Sequence, residues 1–279
     1  MGSKKVVRDL TVFPQDVFVV SYPKSGNTWS RFLIGNLLDP TAPVTFDNVE
    51  CRLPVIYAWT DRALRSLPSP RVLKSHEAFH PGYPHVIYIV RDPRDVAVSF
   101  YYFALKLRII ADGYPMDDFV TRFLRADIVP FADRFGCWED HVLSWINLRQ
   151  GRSSFCLTRY EDLQADPRAE LAKWSAVLRI HPTADVIEQA ITRSSASNMR
   201  SLEEKQSKDW RMTKDSRQDI RFIRDAKSGG WRKKLSEKSV AAIEEAWGAT
   251  MQKLGYELTT GPKLDRSESD SVLFSPSHP

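Results

Sequence analysis

D-V-F-V-V-S-Y, Asp16 to Tyr22, runs into P-K-S-G-N, Pro23 to Asn27, and then into T-W-S-R-F-L-I-G-N-L-L, Thr28 to Leu38. The first piece is β-branched, aromatic and apolar on both faces, as a buried parallel strand must be. The second is a short polar loop. The third mixes Trp29, Phe32, Leu33, Gly35 and Leu37 with polar positions at helical spacing. Strand, loop, helix opens an α/β fold, and the chain goes on in the same way. Val72 to His76 reads as a short strand leading into a loop, and Val86 to Val90 (V-I-Y-I-V) as a third strand. Asp92 then acts as N-cap with Pro93 at the first helical position, and Asp95 falls three residues after the cap as a capping-box partner. Phe155 to Thr158 is a fourth strand, and a helix over about Pro167 to Leu178 follows. The alternation predicts a single α/β domain, a parallel sheet flanked by helices.

Elsewhere, Phe100 to Trp145 reads as helical and is unusually aromatic. Residues 200 to 228 are charged without clear periodicity and read as a long surface loop. Gly229, Gly230 and Trp231 precede a last helix, about Ser236 to Leu254, ended by Gly255. Thr259 to Pro279, rich in Ser, Pro and Asp, is expected to be a disordered tail. No repeat or linker divides the chain. The expected boundaries are an N-terminal extension over 1–13, one domain over 14–258 and the tail over 259–279.

Of the 279 residues, 42 % are hydrophobic and 11 % aromatic, enough for a sizeable core, which rules out a disordered or collagen-like chain. Forty Lys plus Arg against 35 Asp plus Glu leave +5, which suits a small anionic ligand and argues only weakly for a polyanion. The basic run Arg211 to Lys234 is interrupted by Asp215, Asp219 and Asp225, so no nucleic-acid partner is expected. No apolar run reaches about eighteen residues, so no membrane span is expected. Val6 stands where a myristoylation signal needs Ser or Thr, and no signal-peptide core follows Lys4 and Lys5. Cys51, Cys137 and Cys156 are odd in number and widely spaced, with no Cys-x-x-Cys pair. They are expected to be free thiols filling the core, in a reducing cytoplasm. No cluster has metal-ligand spacing, and no metal is expected.

The loop Ser21 to Trp29 is the first candidate site. A loop between a strand end and a helix start aims free backbone amides at one spot, and the helix dipole makes that spot attractive to an anion. Gly26 permits close approach or a positive φ. Lys24 adds a mobile charge, and Ser25, Asn27 and Thr28 add donors. The Walker A order is absent, because Lys24 precedes the glycine, so magnesium-dependent triphosphate hydrolysis is not indicated. The same residues also fit a plain connection with a solvated lysine. A second candidate anion site is Arg91 with Ser99. Arg91 directly follows an apolar strand, where open α/β sheets bind ligands, and a planar guanidinium suits phosphate. Arg91 paired with Asp92 or Asp95 is the alternative, and Arg94 reads as the solvated cation of the pair.

These segments together resemble the cytosolic sulfotransferase family over roughly residues 14 to 258. Y-P-K-S-G-N-T-W, Tyr22 to Trp29, is similar to that family's 5′-phosphosulfate loop, with Asn27 where Thr is commoner. R-D-P-R-D-V-A-V-S-F-Y-Y-F, Arg91 to Phe103, is similar to its 3′-phosphate element, and L-K-S-H, Leu73 to His76, to the segment carrying its base. G-C-W-E-D-H-V (Gly136 to Val142), R-Y-E-D-L (Arg159 to Leu163) and the donor-closing loop R-D-A-K-S-G-G-W-R (Arg224 to Arg232) follow in order.

The resemblance implies the nucleotide-kinase-like sulfotransferase fold, with a P-loop-like loop. It implies 3′-phosphoadenosine 5′-phosphosulfate as co-substrate, no metal, and in-line transfer of a sulfuryl group to an acceptor hydroxyl (phenol or alcohol before amine) of a small molecule. It assigns His76 as base, titrating near neutrality, Lys24 at the leaving oxygen and Lys74 near the transferring group. Ser25, Gly26, Asn27, Thr28 and Trp29 would hold the 5′ end, with Trp29 on adenine. Arg91, Ser99 and Arg224 would hold the 3′-phosphate, with Tyr160, Ser195 and Gly229 near the nucleotide. His141 reads instead as part of a packed helix. The aromatic stretch Phe100 to Phe135 reads either as plain core or as an acceptor wall, which would favour a flat phenolic or alicyclic acceptor.

Three departures stand out. Arg224-Asp225-Ala226 replaces the usual Arg-Lys-Gly, Ala196 stands where Phe often faces adenine, and the family's short dimer motif is missing near Ser236 to Glu245. A homo-oligomer of another kind stays open. So does a kinase-like or merely nucleotide-binding protein on the same loops, because fold does not settle function.

Overall fold

Four strands form one parallel sheet in the computed structural model, which describes residues 10–128, 135–210 and 212–260. They are β1 (Val17–Ser21), β2 (Val72–Ser75), β3 (His85–Val90) and β4 (Phe155–Arg159), in the order β2-β1-β3-β4. The register pairs Val17 with Val72 on one side and with His85 on the other, and Val86 with Phe155. Side chains alternate across a strand. Phe18 and Val20 therefore join one core layer while Val17 and Val19 join the opposite one, all at most 3 % exposed. Helices cover both faces, which is why the strands read as apolar throughout.

The longer helices are α1 (Asn27–Leu38), α2 (Pro93–Lys106), α3 (Met116–Leu124), α4 (Trp138–Arg149), α5 (Pro167–Leu178), α6 (Ala184–Arg193), α7 (Ala196–Gln206) and α8 (Glu237–Lys253). A short helix, Tyr160–Ala165, follows β4. Ser236 caps α8 through the Ser239 amide, and Gly255 ends the segment at φ 79.

Phe100 to Trp145 is helical as expected, in three helices: the end of α2, then α3 and the first part of α4, with residues 129–134 outside the described residues. Several sequence expectations are corrected. The loop predicted over 200–228 begins as the end of α7, because Glu203 packs inward and accepts the amides of Phe222 and Ile223. Asp92 caps α2 through the Arg94 amide at 2.9 Å. Asp95, however, does not close a capping box. Its carboxylate reaches across to the amides of Gly229 (2.6 Å) and Trp231 (3.0 Å). Arg94 is not solvated: it is 2 % exposed, lies between Asp92 and Glu244, and stacks on Trp231 at 4.0 Å. Cys51 is exposed and does not fill the core, whereas Cys137 and Cys156 are half-buried and pack against it. Of the predicted tail, Thr259 and Thr260 are held by Glu244, and the rest lies outside the described residues, as do residues 1–9. No described helix is long and apolar enough to cross a membrane.

Candidate functional site

The strand order turns back between β1 and β3, where parallel sheets place their ligand crevice. A cavity of about 530 Å³ opens there, at the carboxyl ends of β1, β2 and β3. The loop from β1 to α1 forms its floor. Lys24 adopts φ 70 and Gly26 φ 100, so the backbone curls under the helix start. A Cβ on Gly26 would stand 2.6 Å from the Tyr160 ring, so glycine is needed for space as well as for conformation. No side chain caps α1, which leaves its first amides aimed into the loop. The Ser25 hydroxyl is buried without a hydrogen-bond partner among the described residues. An uncapped helix start over an orphaned buried donor is the pattern an anion would complete.

Two lysines face this floor, and neither behaves as a solvated amine. Burial pushes Lys24 down to about 7, helped by Lys74, Arg224 and Arg91. Its ammonium sits over the rings of Phe103 (4.0 Å) and Phe222 (4.3 Å). Lys74, 6 % exposed, is likewise pushed down to about 7 by burial and by Arg31, with Glu50 opposing. The expectation of a plain connection with a solvated lysine is thereby set aside.

His76 lines the same cavity. Its Nδ1 lies 2.7 Å from the Ser21 carbonyl oxygen. A carbonyl only accepts, so Nδ1 carries the proton and Nε2 keeps the lone pair. Burial and the Lys74 charge hold its pKa well below 6.5, not near neutrality as the sequence suggested. His141, the rival histidine, is fully buried: it faces the Tyr88 hydroxyl through Nδ1 (2.8 Å) and the His76 carbonyl through Nε2 (3.1 Å). It steadies the His76 backbone and is itself pushed down to about 4, mainly by burial.

At the other end stand Arg91, Ser99 and Arg224, all on the cavity lining. Arg91 makes no ion pair with Asp92 or Asp95. It stacks on Tyr160 at 4.2 Å and donates to the Lys227 carbonyl at 3.0 Å. Arg224 lies over the Tyr102 ring at 3.9 Å, and burial lowers its pKa. Thr28, Trp29 and Asn27 line the cavity too, and Trp29 meets the Tyr160 ring edge-on at 5.5 Å. Asn27 donates to the Val19 carbonyl and the Ser21 hydroxyl, so it ties β1 to α1. Three assigned residues fall off the lining: Ser25, buried beneath the loop, Ser195 and Gly229. Ser195 caps α7 through the Asn198 amide, and Gly229 is bound to Asp95.

The sequence reading missed the clamp on the closing loop. Gln164 donates to the Ala226 carbonyl (2.7 Å) and accepts from the Ser228 amide and hydroxyl (2.9 and 2.8 Å). Arg200 donates to the carbonyls of Ile223, Arg224 and Asp225. With Glu203 and Asp95, these side chains fix the loop from Phe222 to Trp231. Gln164 directly follows the R-Y-E-D-L motif, which is a findable signal. Arg200 and Glu203 show only as opposite charges three residues apart.

Such a site defines first a class: an α/β protein with a cavity at the switch point of its sheet, cationic at both ends and lined by a histidine. Residues 14–255 match the family described as the sulfotransferase domain, and the chain belongs to that family. It is 27 % identical over 273 residues to sulfotransferase 2B1 of Mus musculus, an alignment covering 92 % of this chain and 75 % of that protein. Its fold is shared with mouse sulfotransferase SULT7A1 complexed with PAP, at TM-score 0.69, 24 % identity, and coverage of 87 % and 86 % of the two chains. It is shared as well with retinol dehydratase in complex with androsterone and the inactive cofactor PAP, at TM-score 0.73, 19 % identity, and coverage of 91 % and 85 %. The chain is thus a sulfotransferase, and the kinase-like alternative is not favoured.

Proposed function

We propose that this enzyme moves a sulfuryl group from 3′-phosphoadenosine 5′-phosphosulfate to a hydroxyl of a small apolar acceptor. The residues fit that donor. The orphaned Ser25 hydroxyl, the uncapped start of α1 and Lys24 suit its 5′ end, and Arg91, Ser99 and Arg224 suit its 3′-phosphate. When bound, the donor supplies the sulfuryl group and an anionic phosphate that leaves. His76 Nε2 accepts the acceptor's proton as its oxygen attacks in line. Lys24 stabilises charge on the departing oxygen, and Lys74 neutralises charge at the transferring group. Phe100, Phe103, Leu107 and Phe135 wall the cavity, which supports a flat phenol or alcohol as acceptor. We assign this chemistry to a domain over 14–258, and three unpaired thiols fit work in a reducing cytoplasm.

The observation that carries the reading is the His76 tautomer, neutral and with its lone pair unspent beside two buried lysines. His76→Ala is expected to lower kcat by roughly 10²–10⁴-fold. Binding of 3′-phosphoadenosine 5′-phosphate, measured by calorimetry, should stay within about twofold. Full turnover in that variant would overturn the assignment.

A further inference from the structure

Five cations line the cavity, Lys24, Lys74, Arg91, Arg224 and Lys227, against two carboxylates, Asp95 and Asp225. The carboxylates are employed differently. Asp95 is buried, and its two oxygens accept the amides of Gly229 and Trp231. Asp225 is held at the cavity by its backbone, through Arg200 on its carbonyl and Gln164 on the next one. Ala226 turns the chain there at φ 51. The Asp225 side chain is 61 % exposed, and its carboxylate meets the Arg224 guanidinium at 3.3 Å. The tied backbone keeps the Asp225 Cα beside Arg224, so its carboxylate stays within reach of that guanidinium. Arg91, the other guanidinium at this end, already donates to the Lys227 carbonyl. One cation of the pair is thus partly satisfied by a carbonyl and the other by the neighbouring carboxylate.

We propose that Asp225 is a built-in competitor for the nucleotide's 3′-phosphate. It neutralises Arg224 in the empty site and repels the phosphate in the filled one, so the spent nucleotide leaves readily. The proposal rests on the donor reading above. A phosphate monoester carries nearly two charges at neutral pH. It outcompetes one carboxylate for Arg224, but the carboxylate stays close by. Removing a like charge at a partly exposed site is expected to tighten binding by about tenfold, mostly by slowing release.

The test uses the full chain, calorimetry and stopped-flow release, with two probes. 3′-Phosphoadenosine 5′-phosphate carries the 3′-phosphate, and adenosine 5′-monophosphate lacks it. Asp225→Asn and Asp225→Ala should each tighten the first about tenfold, slow its release to match, and leave the second within about twofold. Asp225 is mostly exposed, and an unchanged melting temperature checks that the fold is intact. Unchanged or weakened binding of the first probe overturns the proposal, as does equal tightening of both. If the wild type binds the two probes equally and the variants do not change that, the donor reading itself fails.

Discussion

Raising the pH through 7 should strip the phosphate loop of its charge. Lys24 and Lys74 are both pushed down to about 7, mainly by burial, and His76 is pushed well below 6.5 for the same reason. On the proposed roles, the working form of the free enzyme is neutral His76 beside charged lysines, a window bounded below by His76 and above by the lysines. Its signs are fixed. Below the window, protonating His76 removes the base, so kcat/KM rises with pH. Above about 7, each lysine that loses its proton removes a cation, so kcat/KM falls. One titrating group costs about tenfold per pH unit beyond its pKa, and two approach a hundredfold. Because kcat/KM reports free-enzyme groups and kcat those of the complex, the two profiles should part. A bound anion raises neighbouring lysine pKa values, so kcat should hold its plateau further into alkali. Lys24→Arg keeps a charge at every pH and should reduce the alkaline slope from two toward one, at a lower maximum. Initial rates with a phenolic acceptor, over about pH 5 to 9.5, give both profiles. A kcat/KM that stays flat from about pH 6.5 to 9 would refute the reasoning, since no lysine on which the rate depends would then lose its proton near 7.

Three further outcomes are expected. Gly26→Ala meets φ 100 and a ring atom at 2.6 Å. It should cost about 2–4 kcal/mol in thermal unfolding and weaken nucleotide binding. Adding Tyr160→Leu should restore only the steric part, and a wild-type melting temperature for the single variant would contradict the loop geometry. Lys74→Met should abolish turnover yet stabilise the ligand-free protein by on the order of 3 kcal/mol at pH 7. The sign follows from the lowered folded-state value. The charged form is penalised in the folded state, so wild-type stability should recover as pH rises from about 7 toward the ordinary lysine value of 10.5, and Lys74→Met should show a smaller rise, the part left by Lys24. Glu203→Gln loosens the amides of Phe222 and Ile223. It should raise donor KM about tenfold while changing kcat less. Unchanged donor affinity would show that the clamp does not position the loop.

Local patterns showed in the sequence wherever one segment carries its own reason. β1, β3 and α5 could be read within a residue or so, because apolar runs, Pro167 and the turn chemistry act locally. The cavity lining was legible for the same reason: Lys24, Thr28, His76 and Arg91 follow strand ends, where a parallel sheet must open. What failed depends on distant partners. Asp95 looked like a cap because its spacing fits one, but Gly229 and Trp231 offer amides more than 130 residues away. Arg94 looked solvated because nothing nearby predicts Glu244 or the face of Trp231. The lowered His76 and lysine pKa values are products of burial, which spacing along a chain does not encode.

The aromatic stretch after β3 serves as core and as cavity wall together, and the two roles are linked. Phe100, Phe103 and Leu107 fall three, then four residues apart, so they share a stripe where α2 ends against the cavity. Phe100 is 2 % exposed and also packs with Phe123 in the core. Phe103 and Phe222 sheathe the Lys24 ammonium, and cation–π attraction offsets part of what burial removes. The same rings keep water from the lysine. That depresses its pKa in the empty site and strengthens its pull on an anion in the filled one, since charges interact more strongly where water is excluded. An exposed lysine in this loop would be easier to fold and poorer at stabilising a leaving phosphate. On the proposed chemistry, the aromatic wall would serve the electrostatics of transfer as well as acceptor binding, and Phe222, held by Glu203, joins the closing loop to the charge it covers.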